Sequence, residues 1–343
     1  MPEPAIIELT KARMREFIRE PEAVFWVFAF PMVLTLALGF AFRSKPPDRI
    51  PVAVVAGPHA AEQMAALAKS PALLPRVMDE AAAAAQLRTG KVSMLIGGGA
   101  EPLYRFDATR PDARTARLEV DDALQRAAGR QDLIKAREER VSEQGSRYID
   151  FLVPGLLGMN LMGTGMWGVG FSIVNARMKK LLKRLIATPM RKTEYLLAQF
   201  FSRLIFLVFE VVFLIAFAWI VFNVRVHGSF VTFGVITLIG GFAFSGIGLL
   251  VASRARTIEA VSGMMNLVMV PMWIGSGVFF SYERFPDAAK PFIRALPLTA
   301  LNDALRGVMN DGSGWAQVWM PVAILVAWGG ISFALALKLF KWQ

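Results

Sequence analysis

The stretch MKKLLKRLIATPMRKTEYLLAQFF, residues 178–201, lies between two long apolar runs, residues 149–174 and 200–222. It carries six basic residues and a single acid. A loop this basic between two membrane-length segments is typical of the cytoplasmic side of a membrane protein. Its leucines follow helical spacing up to Pro189, and a second helix restarts just beyond. The pattern predicts a short helix across the cytoplasmic face, although the charge alone also fits a loop that holds anionic lipid headgroups.

The whole chain is strongly apolar, like the two runs on either side of this loop. Of its 343 residues 55% are hydrophobic, and the mean hydropathy is +0.46. Six runs approach or exceed the ~18 apolar residues that cross a bilayer: 24–42, 149–174, 200–222, 230–252, 260–280 and 318–340. The sequence therefore predicts an α-helical polytopic membrane protein with six transmembrane helices. The net charge of +11 does not indicate nucleic-acid binding, because the basic residues cluster at the ends of apolar runs.

Charge also sets the predicted topology. Residues 1–23 are basic and amphipathic, as in a helix that lies among lipid headgroups. The first run, 24–42, is too long for a signal peptide and no A-x-A site follows it, so we expect an uncleaved anchor. The basic segments at 177–192 and 254–256 then fall on the inside, and both termini are predicted to be cytoplasmic.

Residues 43–148 have a different composition, with mixed charge and no membrane-length apolar run. Alternation and turn residues predict three strands and two helices; the strands are 50–56, 92–96 and 103–106, and the helices are 58–69 and 114–140. We expect an α/β domain inserted after the first span and placed outside the cytoplasm.

Residues 281–317, between the last two predicted spans, contain three prolines that cut the segment into pieces too short to cross a membrane. The pieces are nevertheless apolar on one side. They predict a pair of short re-entrant helices, at about 284–310, that dip into the outer leaflet, with Trp315 and Trp319 as interface anchors.

Several motifs that could indicate a site have a simpler structural explanation. Residues 163–168 match G-x-G-x-x-G but lie inside a predicted span, so close helix packing, within one subunit or between two, explains them better. No P-loop occurs, and the chain has no cysteine and only two histidines. Asp107, Thr109 and Asp112 are interpreted as helix caps rather than metal ligands. We predict no catalytic, cofactor-binding or metal-binding residue in this chain.

Few polar residues fall inside the predicted spans. Glu210 is a candidate for ion coupling, but it also lies two helical turns from Arg203 and can pair with it. Asn160 and Asn266 either line a polar path or bond between helices. Pro31 and Pro271 are expected to kink their spans.

Four stretches together resemble one known family. They are residues 11–21 (KARMREFIREP) with Phe30-Pro31, residues 103–107 (LYRFD), residues 183–189 (KRLIATP) with 193–197 (TEYLL), and the outer segment with Ser276-Gly277, Phe285-Pro286, Leu296-Pro297 and Arg306-Gly307. In this order the chain resembles the membrane subunit of ABC-2 type (type V) ABC exporters, the bacterial drug- and lipid-export permeases with a large external domain after the first span. Glu20 stands where that family usually has Asp.

The resemblance implies a role for three groups of residues. A coupling helix at about 180–195 would meet the ATPase through Lys183, Arg184, Ala187, Thr188, Pro189, Thr193 and Glu194. An N-terminal connecting helix would include Arg15, Glu16, Arg19, Glu20 and Pro21. An outer re-entrant gate would include Pro286, Pro297, Leu298 and Arg306.

The resemblance also implies the partners. Two copies of a separate ABC ATPase would hold ATP and Mg²⁺, and a second permease subunit, either another copy or a sister chain, would complete the complex; we expect a homodimer. A periplasmic adaptor, an outer-membrane channel and membrane lipid are further expected partners in a bacterial inner membrane. The substrate would be amphipathic or lipophilic and would move outward. The alternatives are an ion- or proton-coupled secondary transporter, and a membrane-anchored assembly or binding protein that acts through its external domain.

Overall fold

The computed structural model describes residues 5–42, 49–99, 101–131, 134, 147–180 and 192–339. The chain divides into two compact units. One unit combines residues 1–43 with residues 142–343, and the other consists of residues 44–141. Each unit is described by itself.

The N-terminal part of the first unit is a broken helix. Helix α1 covers Ala5–Arg19, α2 covers Pro21–Val24, a π-helical turn covers Phe25–Ala29, and α3 covers Phe30–Ala41. Pro21 follows the non-helical Glu20, so its missing N–H costs no hydrogen bond, and Pro31 lies in the first turn of α3 directly after the π-helical turn. Pro31, the predicted kink, therefore marks the change from π to α geometry.

The unit of residues 44–141 contains a four-stranded sheet. Its elements in order are β1 (Ile50–Val55), α4 (Ala60–Leu67), β2 (Leu73–Met78), α5 (Glu80–Arg88), β3 (Met94–Ile96), β4 (Tyr104–Phe106) and α6 (Pro111–Ala127). The strand order is β2-β1-β3-β4. Strand β1 pairs in parallel with β2 and β3, and β4 runs antiparallel to β3.

Side chains alternate between the two faces of this sheet, as the strand geometry requires. Val52 and Met94 point to the face that α4 and α6 cover, whereas Ala53 and Leu95 point to the face of α5. Strand β2 and helix α5 were not predicted from the sequence. Pro75 interrupts the β2 pattern, but β2 is an edge strand, where proline is tolerated.

The helix predicted for 114–140 was wrong just after Ala127, and residues 135–140 of that prediction lie outside the described residues. Helix α6 ends there, and Gly129 adopts φ +97°, a conformation that ends a right-handed helix. The caps predicted for α6 were also wrong. Its N-cap is Arg110, which makes no side-chain capping bond. Asp107 Oδ1 instead accepts from Thr109 N at 2.9 Å, and Asp112 pairs with Arg110 at 2.6 Å.

Five long helices follow in the first unit. They are α7 (Tyr148–Met178), α8 (Lys192–Phe222), α9 (Phe230–Ala252), α10 (Ile258–Gly275) and, last in the chain, α13 (Trp315–Leu339). Between α10 and α13 lie a 3₁₀ turn at Tyr282–Arg284 and two short helices, α11 (Lys290–Arg294) and α12 (Pro297–Met309).

Four described helical stretches are long and apolar enough to cross a membrane: Ser202–Phe222, Phe230–Ala252, Ile258–Gly275 and Trp315–Leu339. The apolar helix Phe25–Ala41 is shorter. The finer count of six spans stays a prediction. The fifth predicted span, 260–280, was too long, because α10 ends at Gly275 and Gly277 turns the chain with φ +70°. Pro271 lies inside α10, as predicted.

Helices α7 and α9 pack closely through glycine. A Cβ at Gly165 would lie 2.9 Å from the Cβ of Phe244, and a Cβ at Gly248 would lie 2.7 Å from the Cα of Met166. Gly165 belongs to the 163–168 motif, whereas Gly168 of the same motif faces open space. Gly165 therefore serves helix packing within the chain.

This packing makes Gly248→Ala a costly substitution. The added methyl would meet the backbone of Met166, which cannot rotate away, so we expect a loss of about 1–3 kcal/mol in the free energy of unfolding. The matched control is Gly234→Ala in the same helix, where the new Cβ meets nothing within 4 Å. Thermal unfolding of the purified chain in detergent measures both. Equal midpoints for the two variants would contradict the close contact.

Candidate functional site

A buried ion pair within α8 is bonded to α7 through Thr164. Arg203 Nη1 lies 3.1 Å from Glu210 Oε2, with 13% and 0% of the two side chains exposed. Thr164 of α7 completes the cluster: its hydroxyl accepts from Arg203 Nη2 at 2.5 Å and lies 3.0 Å from Glu210 Oε1. The pairing that the spacing of Arg203 and Glu210 allows is therefore present, and both carboxylate oxygens of Glu210 have partners within the chain.

The cluster of Arg203, Glu210 and Thr164 extends toward the N-terminal helices through Asn160. Asn160 lies one turn before Thr164, and its Nδ2 donates to the carbonyl of Val27 at 3.2 Å. Thr164 Oγ1 also lies 2.8 Å from the carbonyl of Asn160. The cluster, with Asn160, thus links the π-helical turn, α7 and α8. Of the two interpretations for Asn160, the structure has the bond between helices.

The second cluster lies around α12. The Arg306 guanidinium donates through Nε to the carbonyl of Phe151 at 3.3 Å and through Nη2 to the carbonyl of Gly277. It also lies 3.7 Å from the centre of the Phe151 ring. Asn302 Nδ2 donates to the carbonyl of Ser276 at 3.0 Å. These bonds attach α12 both to the start of α7 and to the turn after α10.

Glycine makes room for this attachment. A Cβ at Gly155 would lie 2.5 Å from the carbonyl oxygen of Val278 and 2.9 Å from Arg306 Nη2. Of the other predicted gate residues, Pro297 begins α12 and is buried, Leu298 is fully buried, and Pro286 is exposed. Sequence reasoning missed Asn302, although an asparagine on the apolar side of a strongly amphipathic helix is a usable signal.

A network of ion pairs around the exposed Glu283 lies beside this cluster. Glu283 accepts from Arg294 at 2.8 Å and pairs with Lys290 at 3.1 Å. The hydrogen bonds from Arg294 and Lys290 hold the pKa of Glu283 below its ordinary value. Tyr282 donates its hydroxyl proton to Asp303 Oδ2 at 3.1 Å, which connects the 3₁₀ turn to α12.

Helix α1 packs against α8. The ring centres of Phe17 and Phe206 lie 4.3 Å apart. On the other side of α1 a shallow cleft of about 450 Å³ is lined by Ala12, Arg15, Arg19 and Glu20. Glu20 is the N-cap residue of α2 and Pro21 its first residue, whereas the side chain of Glu16 lies outside the described residues.

Most of the predicted coupling helix lies outside the described residues: Lys183, Arg184, Ala187, Thr188 and Pro189. Thr193 and Glu194 fall in the first turn of α8, but their side chains also lie outside the described part.

Sequence reasoning missed Arg177, which lies at the end of α7 just before the predicted coupling helix. Its Nη1 donates to the carbonyl of Ala252 at 3.2 Å and its Nη2 to that of Ser253 at 3.3 Å. A cation on the carbonyls at a helix C-terminus stabilises that end. Arg177 thereby joins the ends of α7 and α9. The signal available was a basic residue in the last turn of a long apolar helix.

Asn266 differs from Asn160 in having no buried partner. It is exposed on α10 beside Leu267, of which 75% is exposed. Glu259, at the start of the same helix, is also exposed. Within the described residues no group of three His, Cys, Asp or Glu side chains is placed to hold a metal ion.

Comparison with known proteins identifies the family. Residues 22–338 match the family model described as "ABC-2 family transporter protein". Because the match covers most of the chain, the chain belongs to the ABC-2 family of transporter proteins. It is a multi-pass membrane protein, with the apolar helices described above.

Relatives with curated descriptions are distant and only partly covered. The chain is 26% identical over 186 residues to "ABC transporter G family member 20" of Dictyostelium discoideum, which is 53% of this chain and 25% of that protein. It is 25% identical over 173 residues to "Inner membrane transport permease YhhJ" of Escherichia coli, covering 50% and 46%. It is 22% identical over 170 residues to "Putative transport permease YvfS" of Bacillus subtilis, covering 49% and 68%. The alignments thus span less than half of the first two relatives.

Proposed function

We propose that this chain is the membrane-spanning subunit of an ATP-driven exporter, moved by a separate ATPase. The observation that carries the proposal is the position of α8. Its first turn follows the predicted coupling helix, Phe206 packs against the connecting helix α1, and Arg203 and Glu210 both bond to Thr164 of α7. A displacement at the inner end of α8 is therefore passed to α1 and α7 through direct contacts.

Helix α7 also connects α8 to the predicted re-entrant helices on the outer side. Helix α7 meets α8 at Thr164 and meets α12 at Phe151, where Arg306 is bonded to it. Movement of α7 consequently shifts the predicted re-entrant helices. In this proposal α12 limits the outer exit, and the substrate, an amphipathic or lipophilic molecule, leaves outward or into the outer leaflet.

The energy source is a second polypeptide. The sequence holds no P-loop, so ATP and Mg²⁺ would bind to two copies of a partner ATPase, which press on the coupling helix and on the exposed face of α1 with Arg15 and Arg19. The environment of Glu210 favours this proposal over ion coupling. Its carboxylate is fully buried, and both oxygens already have partners within the chain.

Cellular placement follows the charge pattern. Both termini would be cytoplasmic, the six predicted spans would cross the bacterial inner membrane, and the unit of residues 44–141 would lie outside the cytoplasm. There that unit would meet a periplasmic adaptor that leads to an outer-membrane channel.

A reconstituted complex tests the proposal. The chain is co-purified with its ATPase in lipid nanodiscs, and ATP turnover and transport in proteoliposomes are measured for Arg184→Glu, with Arg88→Glu in α5 as the matched control. We expect Arg184→Glu to abolish ATP-coupled transport while the chain stays folded, and Arg88→Glu to leave transport unchanged. Full transport without the ATPase, driven by an ion gradient, would instead establish a secondary transporter. Full activity that requires neither ATP nor an ion gradient would favour an assembly or binding protein.

In the homodimer, the exposed face of α10 would form the contact between the two copies. An asparagine exposed to lipid leaves its amide without partners, which is costly in hydrocarbon. Asn266 on this apolar face is therefore expected to face a second copy or the transport path rather than lipid.

Cysteine cross-linking checks this arrangement, since the chain contains no cysteine. We expect Asn266→Cys to form a disulfide-linked dimer in native membranes on mild oxidation. Ile331→Cys, on the exposed side of α13, is the control and should stay monomeric. The reverse outcome, with cross-linking at position 331 and none at 266, would place the dimer contact on α13.

A further inference from the structure

The α/β unit has a crevice at the carboxyl ends of β1 and β3. From β1 the chain crosses to β2 on one side, and from β2 it returns to β3 on the other side of β1. The gap between β1 and β3 is therefore a topological switch point, the place where open parallel sheets bind ligands. A crevice of about 270 Å³ lies there, lined by Val55, Ala56, Gly57 and Pro58 after β1 and by Gly97, Gly98 and Gly99 after β3.

Glycines and a buried glutamine shape its floor. A Cβ at Gly57 would lie 2.7 Å from the carbonyl oxygen of Gly98, so the two loops touch through their backbones. Gln63 of α4 is only 7% exposed, and its Nε2 donates to the carbonyls of Gly97 at 3.2 Å and Gly99 at 3.1 Å. The glycine loop is therefore held in place by a side chain on the far face of the sheet.

This arrangement leaves one backbone donor free. In a trans peptide the carbonyl of Gly97 and the N–H of Gly98 point in opposite directions. Because the Gly97 carbonyl points to Gln63, the Gly98 N–H points toward the α5 face. Among the described residues no backbone carbonyl accepts it. A free N–H at such a loop favours an anionic ligand group.

The α5 side of the crevice supplies both charges and an apolar wall. Arg105 Nη1 lies 3.0 Å from Glu80 Oε1, and at least half of each side chain is exposed. Leu95 and Leu103 form the apolar part, and 56% of Leu103 is exposed. One cation, one anion, one backbone donor and an apolar wall thus meet in a single small crevice.

We propose that this crevice binds a small zwitterion with an apolar side group, of the kind represented by a free aliphatic amino acid. The carboxylate accepts from the Gly98 N–H and the Arg105 guanidinium, the ammonium group donates to Glu80, and the side group lies against Leu95 and Leu103. The volume is below the range of drug-sized sites and accommodates a ligand of about the size of one amino acid.

The test uses the full chain in lipid nanodiscs with L-leucine as the probe, by isothermal titration calorimetry. We expect saturable binding of L-leucine, and binding weaker by about tenfold or more for N-acetyl-L-leucine and for L-leucinamide, because each lacks one of the two charges. Arg105→Gln and Glu80→Gln should each weaken L-leucine binding by a similar factor. Both residues are largely exposed, so the variants should keep the parent unfolding midpoint.

The control is Arg114→Gln, an exposed residue of α6 on the opposite face of the sheet, which should leave binding unchanged. Absence of saturable L-leucine binding would overturn the proposal. Equal affinity for leucinamide or the N-acetyl compound would also overturn it, and so would equal weakening by Arg114→Gln and Arg105→Gln. None of these outcomes depends on transport, so they bear only on this crevice.

Discussion

Glu210→Ala is expected to destabilise the helical unit by about 3–5 kcal/mol, because it leaves the Arg203 guanidinium buried without its carboxylate. Arg203 would keep its bond to Thr164, but that hydroxyl is neutral and already shared with the carbonyl of Asn160. The thermal unfolding midpoint of the purified chain, followed by tryptophan fluorescence in detergent, measures the loss.

A double variant separates the buried charge from simple loss of packing. Glu210→Leu with Arg203→Met replaces the pair by apolar side chains of similar size, and such replacements are often neutral or stabilising. We therefore expect the double variant to recover most of the stability that Glu210→Ala loses. A double variant no more stable than Glu210→Ala would show that the helices depend on the ion pair itself. An unchanged midpoint for Glu210→Ala would contradict the burial of the pair.

Local signals in the sequence predicted where helices end better than they predicted which side chains contact each other. The span predicted at 230–252 coincides with α9, because Ser229 is a strong N-cap whose hydroxyl accepts from Val231 N. Gly129 carried a comparable signal for the end of α6 and was overlooked. Such signals act within one or two turns, so they can be recognised without knowing the fold.

The contacts that define the site join residues that are far apart in the sequence. Thr164 and Glu210 are 46 positions apart, and Arg306 and Phe151 are 155 apart. Periodicity places each residue on a face of its own helix, but the partner is chosen by how the helices pack. Glu210 was therefore a candidate with two open interpretations, and the role of Arg306 in joining α12 to α7 appeared only in the structure.

Arg306→Ala is expected to loosen α12 from α7 and from the turn after α10. The substitution leaves the carbonyls of Phe151 and Gly277 without their shared donor and removes the cation from the Phe151 ring. Leaving a buried acceptor unsatisfied costs about 1–3 kcal/mol, so with two acceptors we expect a loss near the upper end of that range or beyond. Thermal unfolding in detergent measures it, and Arg306→Lys should recover only part, because a lysine cannot reach both carbonyls as a planar fork does.

Arg294→Ala is the matched control, since Arg294 lies in the neighbouring helix but is exposed and pairs with the exposed Glu283 and the face of the Tyr282 ring. It should leave the unfolding midpoint nearly unchanged, as exposed ion pairs usually do. If α12 limits the outer exit as proposed, Arg306→Ala should also raise the passive leak of substrate from proteoliposomes without ATP, whereas Arg294→Ala should not. A stable, leak-free Arg306→Ala variant would mean that Pro297, Leu298 and Asn302, all buried in α12, hold the helix without the guanidinium.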